Sequence, residues 1–212
     1  MRVFQVTEKG LLYFMSHKEN IHPVFDQLLQ RADREKLLNQ KAKVIWLTGL
    51  SGSGKTTLAV GLERALHESG KLAYVLDGDN IRTGINSNVG FSEEDRKENI
   101  RRIAEVAKLF LNAGVITICC FVSPTVEIRS LAKSIIGEND FLEVYVNASL
   151  ESCEARDVKG LYAKARKGEI KDFTGIHQQF EAPEKPWLTI ATDKQSREES
   201  LTQLVEAVMK KT

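Results

Sequence analysis

The run Gly49-Leu50-Ser51-Gly52-Ser53-Gly54-Lys55-Thr56, followed by Thr57, constrains this chain more than any other segment. It fits the G-x-x-x-x-G-K-[ST] pattern at every position. Glycines let a backbone wrap closely around polyphosphate with its N–H groups pointing inward. A helix beginning at Lys55 adds its positive N-terminal end. Lys55 then supplies a point charge for the β- and γ-phosphates, and Thr56 a hydroxyl ligand for Mg²⁺. A Gly-rich turn with nothing to hold would not require Lys-Thr at that offset. The whole run, Gly49 to Thr57, is expected to bind ATP. The pattern names a nucleoside triphosphate and leaves the reaction open.

The surrounding pattern predicts an α/β domain of the P-loop NTPase fold, a parallel sheet with helices on both faces and a kinase-type lid. Strands are expected at Val44 to Leu47, Leu72 to Leu76, Val115 to Val122, Phe141 to Val146 and Leu188 to Ala191. Helices are expected at Lys55 to Ser69 (closed by Gly70), from Ser92 to about Asn112, Thr125 to Ile136 and Leu150 to Arg156, with another at the C-terminus. Ser92 with Asp95 reads as a box-like helix start. Ligands of such sheets sit beyond the carboxyl ends of the strands. Residues 43–212 form the expected kinase domain, with the lid at about 158–183. Residues 1–42 form an N-terminal extension, within which Met15 offers a second start. Pro23 to Gln40 is expected to be an amphipathic helix, with Val24, Leu28, Leu29 and Leu37 on its apolar side.

Composition excludes several classes. The formal charge is +1 over 212 residues, so no bulk field selects nucleic acid or an acidic membrane. Anion recognition must come from local clusters. No apolar stretch approaches the ~20 residues of a membrane span, and the start lacks a signal-peptide pattern. Cys119, Cys120 and Cys153 read as small buried hydrophobes in a reducing compartment. His17, His22, His67 and His177 have no metal-ligand spacing. A cytoplasmic protein is expected.

Two further segments narrow the reaction. Switch GTPases carry an N/T-K-x-D guanine reader, and Thr192-Asp193-Lys194-Gln195 has the wrong order. A small-molecule kinase needs an acceptor site beside the cradle and a mobile lid. Asp77-Gly78-Asp79-Asn80-Ile81-Arg82 ends the strand next to the cradle. Its carboxylates either face Mg²⁺ (Asp77) and the attacking hydroxyl (Asp79) or merely cap the next turn. The long apolar strand ends in Ser123-Pro124 and carries no acidic residue, which leaves Asp77 and Asp79 as the natural substitutes. Gly160 to Pro183, rich in Lys, Arg, Gly and aromatics, reads as a lid or as a solvated helix-loop.

These segments resemble one family. DGDNIRTGINSNVGFSEEDRKENIRRIAEVAKLF (Asp77 to Phe110) is similar to the signature region of adenylylsulfate kinases, or APS kinases. So are GLSGSGKTTLA at Gly49, FVSPTVEIR at Phe121 and CEARDVKGLYAKARKGEIKDFTGI at Cys153, in the family's order and spacing. The resemblance implies transfer of the γ-phosphoryl of ATP to the 3′-hydroxyl of adenosine 5′-phosphosulfate (APS), giving 3′-phosphoadenosine 5′-phosphosulfate. It implies that Phe91 and Phe173 sandwich the acceptor's adenine, and that Arg82, Arg96 and Asn99 hold its phosphosulfate and ribose. Lys159 and the backbone at Thr174, Gly175 and Ile176 match lid contacts to the acceptor, and Arg156 a residue beside the ATP base. Asp77 is counted with both the metal and the acceptor. Ser123 matches a serine described in the family as a phosphorylated intermediate. In-line transfer needs no enzyme-bound phosphate, and a hydrogen bond in the acceptor site fits the same position. The family favours a homodimer. One departure stands out: His177 replaces an aspartate common after the Phe-Thr-Gly-Ile run.

Two other readings compete. A kinase for another small acceptor, such as a nucleoside monophosphate or sugar acid, would lack the paired phenylalanines and the basic cluster after Phe91. A noncatalytic nucleotide-binding regulator would be expected to have lost Lys55, Thr56 or Asp79, and all three are present.

Overall fold

The computed structural model describes residues 20–212; Met15 and His17 lie outside them. Five strands, β1 (Val44–Thr48), β2 (Ala73–Asp77), β3 (Ile116–Cys120), β4 (Phe141–Asn147) and β5 (Leu188–Ala191), form one sheet. Their order is β2-β3-β1-β4-β5 and every pairing is parallel. The helices are α1 (Arg31–Leu38), α2 (Lys55–Glu68), α3 (Gly78–Thr83), α4 (Glu93–Asn112), α5 (Val126–Ile136), α6 (Leu150–Arg156), α7 (Leu161–Arg166) and α8 (Arg197–Met209).

The central strand shows how sequence builds the layers. Ile45 sits opposite Ile118 on one side and Leu142 on the other, so β1 lies inside the sheet. Alternate side chains must point to opposite faces. Val44 and Trp46 accordingly pack with Ile103, Ala107, Ile128 and Ala132 from α4 and α5. Ile45 and Leu47 pack with Leu58, Leu62 and Leu204 from α2 and α8. Burial on both faces explains why β1 and β3 read as unbroken apolar runs.

Strand and helix bounds match the expected ones within a few residues, with instructive exceptions. The third strand stops at Cys120, short of the expected Val122, because the chain turns there: Ser123 has φ +37°, which no strand accommodates. Ser92 caps α4 through the Asp95 amide as expected. The Asp95 carboxylate, however, accepts from the Ser92 hydroxyl (2.9 Å), so the box closes on the side chain. The stretch after Asp77 is the short helix α3, and the segment expected to be the lid contains α7; neither helix was expected from the pattern.

The expected helix over Pro23 to Gln40 needs correction. Only Arg31–Leu38 is α-helical, and Phe25–Gln27 is a 3-10 turn. Leu28 is extended, and the Gln30 amide donates to the Phe25 and Leu28 carbonyls, which diverts both from a helical ladder. Val24, Leu28, Leu29 and Leu37 are exposed. Residues 31–212 form one compact unit, so α1 goes with the α/β body. Polar contacts hold α1 there. Arg31 pairs with Glu35 (2.8 Å) and Asp140 (2.6 Å) and donates to the Ala42 carbonyl, while Glu35 accepts from the Ala42 amide.

Among the described residues no helix is long and apolar enough to cross a membrane. All three cysteines are free and buried.

Candidate active site

The ends of β1, β2 and β3, the start of α2 and the lid enclose a cleft of about 810 Å³. The phosphate loop forms one side. Gly49 has φ +151°, and a Cβ there would stand 2.4 Å from the Val146 carbonyl oxygen, so only glycine fits where the loop crosses β4. Lys55 is 9% exposed and donates to the Gly49 (2.9 Å) and Leu50 (2.7 Å) carbonyls. Burial pushes its ammonium down to about 8. Thr56 Oγ1 donates to Asp77 Oδ2 (2.9 Å), and Asp77 Oδ1 accepts from the Asp79 amide (3.0 Å). Asp77 thus both caps α3 and faces the cradle threonine. Asp79 pairs with Lys159, reaching from α3 across to the lid.

On the far side, Arg82 lies 4.2 Å over the Phe91 ring and donates through one nitrogen to the Val89 and Gly90 carbonyls. Phe91 is 63% exposed. Arg96 joins the two aromatic segments. It donates to the Phe91 carbonyl (2.9 Å) and to the Asp172 carbonyl (2.6 Å) and Thr174 hydroxyl (3.2 Å), which flank Phe173. Three of the five N–H donors are spent this way, and two remain. Asn99 is buried at the cleft wall, its side-chain oxygen accepting from Asn86.

Ser123 closes the base of the cleft at 3% exposure. Its Oγ accepts from Trp46 Nε1 (3.1 Å) and donates to Thr48 Oγ1 (2.9 Å), which passes its own proton to the Val122 carbonyl (2.8 Å). Arg129, buried and paired with Glu143 (3.0 Å), donates to the Ser123 carbonyl (2.9 Å) and holds this turn in its positive-φ conformation.

The segment at 158–183, the expected lid, is rooted on the phosphate loop. Tyr162 on α7 donates to the Ser51 carbonyl (2.9 Å) and meets Phe173 edge-on at 5.0 Å. Leu50, Leu150, Cys153, Phe173 and Ile176 complete this cluster. Gly175 has φ +96°, and a Cβ would press on Leu150 (3.1 Å) and Leu50 (3.2 Å). His177 accepts the Phe173 amide on Nδ1 (3.3 Å) and returns its own amide to the Phe173 carbonyl (2.9 Å). Past the lid, Glu181 accepts from the Val126 amide (2.6 Å) and donates to the Pro124 carbonyl (2.8 Å).

Of the expected site residues, Ser51, Gly52, Gly54, Lys55, Thr56, Thr57, Asp77, Asp79, Arg82, Phe91, Arg96, Asn99, Ser123, Arg156, Lys159, Phe173 and Thr174 line this one cleft. Gly49, Leu50, Ser53, Gly175 and Ile176 do not line it and shape it from behind. Arg156 donates to the Thr192 (2.6 Å) and Gly52 (3.3 Å) carbonyls. Sequence reasoning missed Tyr162, Arg129, Asn86, Gln195 and Ser200. Gln195 and Ser200 line the cleft with Gln195 Oε1 and Ser200 Oγ buried and without partners. Nothing in a single sequence separates a Gln or Ser at a helix start from an ordinary capping residue.

The Adenylylsulphate kinase family model matches residues 41–191. The chain belongs to that family. An adenylyl-sulfate kinase of Bacteroides thetaiotaomicron is 60% identical over 197 residues, covering 93% of this chain and 98% of that protein. Among solved structures, the APS kinase of Mycobacterium tuberculosis in complex with AMPPNP and APS superposes with a TM-score of 0.77 at 44% identity. It covers 80% of this chain and 98% of its own. A hexameric APS kinase from Thiobacillus denitrificans gives 0.61 at 27% identity, over 84% of this chain and 31% of its own. The phosphate loop, Asp77 and Asp79, and the Phe91 and Phe173 segments meet at the one cleft.

Proposed function

We propose that this chain transfers the γ-phosphoryl group of ATP to the 3′-hydroxyl of APS. The observation that carries the reading is Arg96, one guanidinium tying the Phe91 segment to the Phe173 segment across a cleft whose opposite wall is the phosphate cradle. That arrangement suits a nucleotide acceptor with its adenine between two aromatic rings and its sugar toward the cradle. Base–aromatic stacking is worth about 1–3 kcal/mol per base.

The roles follow from what each group has free. The loop amides and Lys55 bind the triphosphate. Arg156 flanks the ATP base, and the unpartnered Gln195 Oε1 and Ser200 Oγ offer polar atoms for its edge. Arg82 keeps donors for the phosphosulfate after serving two carbonyls. Asp79 orients the 3′-hydroxyl and accepts its proton as the new O–P bond forms and the bond to the β-phosphate oxygen breaks. Lys159, its partner across the cleft, brings positive charge to the transferring group. Ser123 acts as a hydrogen-bonded wall: its proton is committed to Thr48, and no base accepts it.

Mg²⁺ fits the cradle. Thr56 and Asp77 present two adjoining oxygens, and the described residues hold no cluster of three or more His, Cys, Asp or Glu placed to cage a metal. That suits an ion which keeps waters and takes its remaining ligands from phosphate. Bound there, it would neutralise charge shared by the β- and γ-phosphates. We assign the catalytic body to residues 31–212 with the lid at about 158–183, working in the cytoplasm as a homodimer.

Turnover of ATP against a panel of acceptors tests the reading. APS should be preferred strongly over AMP, gluconate and shikimate. Equal use of AMP, or no use of APS by folded enzyme supplied with magnesium, would refute it.

A further inference from the structure

One asparagine in the acceptor half of the cleft has its amide orientation set from behind. Asn99, on α4, lines the cleft and is 6% exposed. An asparagine amide carries an acceptor and a donor of nearly equal shape, so the surroundings decide which one meets a ligand. Behind Asn99 lies Asn86, 0% exposed, in the segment between α3 and α4. Its Nδ2 donates to the Asn99 main-chain carbonyl (3.4 Å) and to Asn99 Oδ1 (3.0 Å).

A main-chain carbonyl can only accept, so the Asn86 atom facing it must be the NH2 group. That group demands an acceptor from the Asn99 side chain and turns Oδ1 inward. Asn99 Nδ2 is left without a protein partner among the described residues. Turning the Asn86 amide over would set Oδ1 against the carbonyl. The Asn86 backbone is itself pinned: its main-chain N–H donates to the Ile81 carbonyl (3.1 Å), and its main-chain carbonyl accepts from the Val89 N–H (3.0 Å).

We propose that Asn86 is a positioning residue that fixes the Asn99 amide with its NH2 group toward the acceptor. Asn99 then serves as a hydrogen-bond donor to a ribose or phosphosulfate oxygen. The proposal rests on the acceptor being APS, as read above. A donor matches the chemistry, because those oxygens accept, whereas an inward NH2 would present Oδ1 to an oxyanion.

Asn86→Asp tests this through a proton. Ionised, the carboxylate only accepts, so it draws the Asn99 NH2 inward; protonated, it can donate as the asparagine does. The KM for APS, relative to wild type, should rise about tenfold or more across a single-proton step as pH increases. KM for ATP should stay within about twofold, given that the change leaves the cradle untouched. Adding Asn99→Ala should abolish the step. A pH-independent KM ratio, an equal step in the KM for ATP, or a step that survives Asn99→Ala would overturn the proposal. Wild type that ignores APS would instead refute the reading beneath it. If Asn86→Asp does not fold, neutron diffraction of the wild-type complex with APS decides. Deuterium on the Asn99 atom nearest the acceptor supports the proposal, and a bare oxygen there overturns it.

Discussion

Lys55 has its ammonium shared between two loop carbonyls and depressed to about 8 by burial. A polyanion in the cradle favours the charged form and must raise that value on binding. ATP binding should therefore take up a proton above about pH 8, and affinity should fall as pH climbs through that range. Calorimetry in buffers of different ionisation enthalpy measures the uptake directly; binding with no proton linkage near pH 8.5 would contradict the assignment. Lys55→Ala should stay folded and lose turnover. Phe91, exposed apart from the guanidinium above it, is the simplest probe of the acceptor side. Phe91→Ala should raise the KM for APS about tenfold or more and leave the KM for ATP nearly unchanged, as steady-state kinetics would report. At this scale the sequence was legible where a motif demands a fixed spacing, as in the cradle, and Asp77 and Asp79 fall on the same cleft as that loop. It was silent on Tyr162 and Arg129, whose roles arise from segments far apart in the chain: Tyr162 reaches Ser51, and Arg129 meets Glu143.

Among the elements, the strands and the longer helices could be read because each carries a period or a cap. β1 alternates between two buried faces, and Ser92 and Thr125 cap their helices. The short helices α3 and α7 could not, since six residues give too little pattern and their starts depend on aspartates bonding backward. Asp77 caps α3, and Asp157 accepts from the Tyr162 and Ala163 amides at α7. The turn at the end of the 158–183 segment depends on His177, which accepts the Phe173 amide. A carboxylate accepts equally well, so His177→Asp should keep the KM for APS within about twofold. His177→Ala, leaving the amide unpaired, should raise it several-fold, at a cost of about 1 kcal/mol. Equal kinetics for the two variants would remove His177 from the lid's support.

For the whole molecule, the apolar α/β body was predictable from its alternating elements, whereas the docking of α1 was not. A hydrophobic face was expected there, and the helix is held instead by Arg31, Glu35 and Asp140, a charge pattern indistinguishable in sequence from a solvated surface. Arg31→Ala should cost about 2 kcal/mol, moderated by its partial exposure, and lower the Tm by about 4–8 °C with turnover per folded molecule intact. An unchanged melt would show the network to be idle. A crystal structure with APS and a non-hydrolysable ATP analogue would show whether one cleft brings the two nucleotides together. The APS adenine should lie between Phe91 and Phe173, with its 3′-oxygen within about 3.5 Å of the γ-phosphorus and in hydrogen-bond reach of Asp79. An acceptor seated away from Asp79 and the terminal phosphate would refute the proposed function.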